Sequence, residues 1–178
     1  MSNSSDKPLV NRVANSGLIT INLEDFFPKE AVVSFDLKDY LYMELMLKEK
    51  EFRAALKAYD WTQYDGKVLL VFCSTDAIIP VWAYMLVAAH AEPHAHQIFQ
   101  GDAEAFYQRA FAQALDHLDA STYEQKRIVI KGCSNKPVPI SAYVELTRKL
   151  RPYAQSIMYG EPCSTVPIFK RPRVIKKS

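Results

Sequence analysis

The sequence predicts a mixed α/β domain on a mainly parallel sheet, and three observations carry that expectation. A near-continuous apolar run at residues 67–73 has the composition of a strand buried on both faces. From residue 66 onward, helix-length segments alternate with strand-like ones, which implies parallel pairing and right-handed crossovers. The chain has 178 residues, 49% of them apolar, enough for one core in a single three-layer domain.

Taken in order, residues 1–8 are polar and read as a disordered tail, followed by a single α/β domain over 9–170 and a basic C-terminal tail at 171–178. Residues 18–21 and 31–35 are short strand-like pieces separated by Phe27-Pro28, a small N-terminal addition. Asp36 is placed to cap a long helix over 37–59. There Tyr40, Met43, Leu47, Phe52 and Leu56 recur at roughly helical spacing and residues 48–51 are all charged. Asp65-Gly66 is a turn.

The first parallel strand is then 67–73. A helix opened by Pro80 runs to about His90, and the second strand is 96–99. Gly101-Asp102 opens a helix to Leu118; the third strand is 127–133, a helix covers 139–150, and 156–160 is the fourth strand. The common order for such a sheet is second-first-third-fourth (2-1-3-4). It reverses direction between the first and third strands, where ligands bind beyond the carboxyl ends. A weak repeat supports paired units: Cys73-Ser74 is followed by Pro80 and Ala83-Tyr84, and Cys133-Ser134 by Pro139 and Ala142-Tyr143.

Charge excludes some functions. A formal net charge of +2 is too small for nucleic-acid or membrane binding by the whole body, although Lys170, Arg171, Arg173, Lys176 and Lys177 crowd the end. The N-terminus has no signal-peptide pattern and no window approaches the ~18 unbroken apolar residues of a membrane span. The expected compartment is the cytoplasm, where thiols stay reduced. A homo-oligomer is compatible with the sequence.

All three cysteines precede serine and end a strand-like stretch: Cys73-Ser74, Cys133-Ser134 and Cys163-Ser164. In the expected strand order these three ends are side by side. Strands ~4.8 Å apart permit thiolates to share a zinc ion, iron or an iron–sulfur cluster. Asp76 or Glu161, or a group from solvent or a partner, could complete such a set, with Ser74, Ser134 and Ser164 as accessory groups. No Cys-x-x-Cys is present, so two other readings stand beside it. One is a cysteine-dependent enzyme for sulfur or acyl transfer, its thiol activated by amide groups at helix starts that also suit anions. The other is inert packing of small buried thiols in a scaffold protein.

His90, Glu92, His94 and His96 form a second cluster. His94 and His96, two apart in an extended segment, point the same way but lie at the amino end of the sheet, where surface histidines near a helix end are the simpler reading. No Walker motif, Gly-x-Gly-x-x-Gly or Ser-His-Asp order occurs.

Three segments resemble a known family: Val10-Asn11-Arg12-Val13-Ala14-Asn15-Ser16-Gly17-Leu18, Ile130-Lys131-Gly132-Cys133-Ser134 and Gly160-Glu161-Pro162-Cys163-Ser164-Thr165-Val166-Pro167. They are similar to the bacterial family catalogued as domain of unknown function 2480, over essentially residues 9–170. That family brings no activity with it. Its gene neighbourhood implies a link to sulfur-mobilisation iron–sulfur assembly, and so an accessory or carrier role beside iron–sulfur assembly proteins. It also gives Asn11, Arg12 and Asn15 interest as polar groups near the site.

Overall fold

A computed structural model describes residues 17–132 and 135–172. In chain order its elements are β1 (Leu18–Ile21), β2 (Val32–Asp36), β3 (Leu41–Tyr42), β4 (Met46–Leu47), α1 (Glu49–Ala58), β5 (Val68–Phe72), α2 (Val81–Ala91), β6 (Gln97–Gln100), α3 (Ala103–Asp116), β7 (Arg127–Lys131), α4 (Ile140–Leu150), β8 (Ser156–Glu161) and β9 (Ser164–Lys170). Single 3-10 turns lie at Leu23–Phe26, Leu37–Tyr40, Trp61–Tyr64 and Ala120–Tyr123. The protein is a mixed α/β chain with parallel sheets, its described residues divided into two compact units: 28–110, and 17–27 together with 111–132 and 135–172.

In the 28–110 unit the sheet runs β2-β5-β6, all parallel. β5 is buried on both faces, as its apolar run requires. Leu69 and Val71 join Phe35, Phe52, Leu56, Trp61 and Val87 on one side, while Val68 and Leu70 meet Phe99 and Phe106 on the other. Inside that core the Trp61 indole nitrogen donates to the Leu56 carbonyl at 2.9 Å, so a buried polar group costs nothing.

In the other unit the order is β1-β7-β8-β9, with β9 antiparallel to β8. Ile128, Val129, Ile130 and Ile157 are buried, as are Leu146 and Leu150 of α4.

The strand order differs from the expected one at a single junction. The first and second strands pair (β5 and β6), as do the third and fourth (β7 and β8), but the first and third do not. Each instead takes one of the N-terminal strands, β2 beside β5 and β1 beside β7, so there are two sheets rather than one. The N-terminal pieces are therefore sheet edges, because a doubly buried strand needs a hydrogen-bonding partner on each side.

Asp36 does cap a helix, but only the 3-10 turn Leu37–Tyr40, where its carboxylate accepts from the Lys38 amide at 3.0 Å. The expected long helix is interrupted by the β3–β4 hairpin, whose bend places Met43 and Glu44 at φ 51° and 59°. Helical spacing at Tyr40, Met43 and Leu47 was coincidental: Met43 is exposed, and only Phe52 and Leu56 make the buried stripe of α1. β9 has no counterpart in the sequence reading, which ends at the strand over 156–160. On an edge strand, at a bulge where Ile157 pairs Phe169 and Met158 pairs Pro167, proline is tolerated.

The two units repeat one plan. Asp60-Trp61-Thr62-Gln63-Tyr64-Asp65-Gly66-Lys67 recurs as Asp119-Ala120-Ser121-Thr122-Tyr123-Glu124-Gln125-Lys126. Asp60 accepts from the amide and hydroxyl of Thr62 (3.1 and 2.6 Å), and Asp119 from those of Ser121 (3.0 and 2.6 Å). Gly66 and Gln125 both have positive φ and donate their amides to His94 and Tyr153 carbonyls. The capped 3-10 turns after the N-terminal strands repeat as well, Asn22-Leu23-Glu24-Asp25-Phe26 against Asp36-Leu37-Lys38-Asp39-Tyr40.

The registers Val68↔Gln97 and Arg127↔Ser156 align the units without a gap. Cys73 then corresponds to Gly132, and Ser74 to Cys133, so the two Cys-Ser pairs are not equivalent positions.

Candidate functional site

Two loops follow the central strands, and each is folded around a carboxylate. After β5, the Ser74 amide donates to Asp36 at 3.0 Å. Burial pushes the Asp36 carboxyl upward, but hydrogen bonds from the Ser74 hydroxyl and from the Lys38 and Ser74 amides, with the nearby Lys38 charge, outweigh it. The group is held below the ordinary carboxylate range. After β7, one oxygen of Glu24 accepts from the amides of Asn135 and Lys136, the latter at 3.2 Å. The amides read as an anion site at Ser74 and beyond Cys133 are thus filled by the chain's own acids. Sequence reading missed Glu24 and Asp36 as loop anchors; the repeated Leu-x-Asp-aromatic motif, which holds Glu24 at its second position and directly follows Asp36, is the signal that would have found them.

Cys73 is half-buried against the core of its unit, its sulfur 3.3 Å from the Thr75 hydroxyl. Burial, and then the neighbouring Cys73 sulfur, push the Tyr84 phenol up. Asp76 is exposed. Cys163 lies in the other unit and is exposed, at the tip of the two-residue Pro162-Cys163 turn joining β8 to β9. It therefore sits in a hairpin rather than at a parallel strand end. Cys133 and Ser134, like Asn11, Arg12 and Asn15, lie outside the described residues.

The hairpin base is tightly built. Gly160 has φ 123°, and a Cβ there would be 2.5 Å from the Ser164 carbonyl oxygen. Gly132, which directly precedes Cys133, donates its amide to the Gly160 carbonyl at 3.3 Å and accepts from the Tyr159 hydroxyl at 3.3 Å. A Cβ on Gly132 would press on the Tyr159 ring at 3.0 Å. Beside this crossing Glu161 pairs with Ser164, and its Oε1 is buried with no hydrogen-bond partner among the described residues. An unpartnered buried carboxylate oxygen is costly and rare, and a bound ion or water is the usual reason.

The histidines separate. His94 Nδ1 lies 2.8 Å from Asp65 and His96 Nε2 lies 3.9 Å from Glu30, while the His90 ring stacks on Trp61. Among the described residues no three His, Cys, Asp or Glu side chains gather closely enough to hold a metal ion. No helix among them is long and apolar enough to cross a membrane.

Repeated parallel-sheet units with a thiol-bearing hairpin define a duplicated strand–helix–strand protein of the α/β class. The chain matches the family described as protein of unknown function DUF2480 over residues 7–171, and it belongs to that family. No curated protein and no solved structure matches it.

Proposed function

We propose that this protein binds a metal ion, iron or zinc, or an iron–sulfur cluster through cysteine thiolates, as an accessory protein of cluster assembly in the cytoplasm with iron–sulfur assembly proteins as its partners. The observation that carries the reading is the buried, unpartnered Oε1 of Glu161, two residues from the exposed free thiol of Cys163. Cys133 is assigned as a further ligand, since Gly132 before it hydrogen-bonds Gly160 at the base of the same hairpin. Two thiolates and a carboxylate suit zinc or iron and leave a position for a transferred group or partner ligand. Cys73 directly follows β5, whose sheet contains neither β7 nor β8, and is proposed as the third thiol ligand on its residue type and its Cys-Ser pattern rather than on strand pairing.

Anaerobic purification, loading with zinc or with ferrous iron and sulfide, and metal and sulfide analysis test this. Loading of the parent chain is expected, with Cys163→Ser, Cys133→Ser and Glu161→Gln each weakening retention by about tenfold or more. A chain that cannot be loaded, or variants that retain metal as the parent does, refute the reading.

A further inference from the structure

A second site lies in the β7-β8-β9 unit, away from the cysteine hairpin. A pocket of about 490 Å³ is lined by Arg127, Gln155, Ser156, Met158, Pro167, Phe169 and Lys170. That volume is in the range of small-molecule sites. Its floor is set by register. Arg127 pairs with Ser156, and Ser156 with Lys170, so three side chains in one cross-strand row share a sheet face, ~4.8 Å from strand to strand. A serine thus stands between two cations.

Ser156 is 9% exposed and is the one buried polar residue among those described. Its hydroxyl makes no hydrogen bond to any described group. A hydroxyl that opens onto the pocket beside two cations is a group an anion can hydrogen-bond. Met158 and its cross-strand partner Pro167, on the same sheet face as Ser156, supply an apolar wall. The bulge in β9 sets the register that brings Lys170 opposite Ser156.

The internal duplication supplies an independent comparison. The positions equivalent to Arg127, Ser156 and Met158 in the other repeat are Val68, Gln97 and Phe99. There Val68 and Phe99 are buried, with Phe99 packed edge-on to Phe106 of α3, the ring centroids 5.5 Å apart. One repeat closes this sheet face with an aromatic contact. The other carries cations and a hydroxyl on it and holds a cavity.

We infer that this pocket binds a small organic anion: a carboxylate or phosphate seated on the Arg127–Ser156–Lys170 row, and a flat apolar body against Met158 and Pro167. Phenyl phosphate and phenylacetate are the probes, titrated into the full chain by calorimetry, with benzyl alcohol as the neutral control and inorganic phosphate as the bodiless one. The tighter of the two aromatic anions identifies the headgroup.

One aromatic anion per chain is expected, binding at least about tenfold more tightly than benzyl alcohol or inorganic phosphate. Lys170→Met, at an exposed position, and Ser156→Ala should each weaken it by about threefold or more, while Ser156→Ala leaves thermal stability unchanged or raised because its hydroxyl has no partner to lose. The methyl resonance of Met158 should shift on binding. The inference is overturned if neither aromatic anion binds below about 10 mM. Unchanged affinity in both variants, controls that bind as tightly as the aromatic anions, or shifts confined to Met43, Met46 or Met85 overturn it equally.

Discussion

Ser74 donates its amide to the carboxylate of Asp36 at 3.0 Å, joining the loop after one strand to the end of its neighbour. The same carboxylate caps the following 3-10 turn through Lys38. The net effect on Asp36 is a lowered carboxyl pKa, the hydrogen bonds overcoming desolvation. A carboxyl depressed on folding stabilises the protein above its unfolded value, and that stabilisation is lost as pH falls through the folded value. Asp36→Ala should therefore cost about 1–2 kcal/mol at neutral pH, from the cap and the lost loop anchor. Chemical denaturation of parent and variant across the acid range is the check; their difference should shrink toward the lowest pH.

Gly160→Ala should be among the most damaging single-methyl changes. The added carbon would lie 2.5 Å from the Ser164 carbonyl, on a backbone at φ 123° that an L side chain rarely adopts. Relief requires the hairpin to open. A loss of roughly 2–4 kcal/mol is expected, measured by urea denaturation. Gly132→Ala should cost less, since the atom it meets at 3.0 Å belongs to the Tyr159 ring.

Lys149 spans from α4 to the end of α3, where its ammonium donates to the carbonyls of Leu115 at 2.5 Å and Asp116 at 3.1 Å. These are carbonyls a helix end leaves without intrahelical partners. Lys149→Met keeps the aliphatic stem and removes the donors, so a loss of about 1–2 kcal/mol is expected. Thermal unfolding in low and high salt checks it. The loss should persist at high salt, because the Lys149 side chain is only 16% exposed.

Much of the fold was legible in the sequence because β5 is doubly buried and shows it as an apolar run, and because strand and helix alternate from there to β8. The sheet partition was not legible. Leu18–Ile21 and Val32–Asp36 look alike, and nothing local says that each seeks a different central strand. Cys73 and Cys163 stand out by residue type and by the serine after each, but the hairpin that carries Cys163 was not read, and in it Pro162 serves as a turn residue and Pro167 as an edge residue. The Arg127–Ser156–Lys170 row is invisible to any local window, since register across three strands makes it. Lys170, read as part of a basic cluster at the chain end, is the last residue of β9. Arg171 after it is pinned, its amide to the Gln155 carbonyl at 2.9 Å and its guanidinium to the Pro152 and Ala154 carbonyls.

The tyrosines of the 28–110 unit predict its alkaline limit. Tyr40 stacks on Phe35 with ring centroids 5.1 Å apart, and burial, then Tyr59 and Asp39, push its phenol up to about 12 from 10.0. Tyr64 is pushed higher still, by burial first and then by its Tyr59 partner, whose hydroxyl lies 2.7 Å away. A phenol whose pKa is raised on folding contributes its stability in full below the unfolded value of about 10, and that stability is lost as pH climbs toward the folded value of about 12. Folding should weaken steadily over that window. Tyr40→Phe removes one such group and cannot form a buried phenolate, so its unfolding free energy should fall less steeply there than the parent's. Denaturation series at pH 9 to 12, with tyrosine ionisation followed by ultraviolet absorbance, measure both slopes. Equal slopes would show that Tyr40 ionises without cost in the folded chain and that its packing against Phe35 leaves it open to solvent.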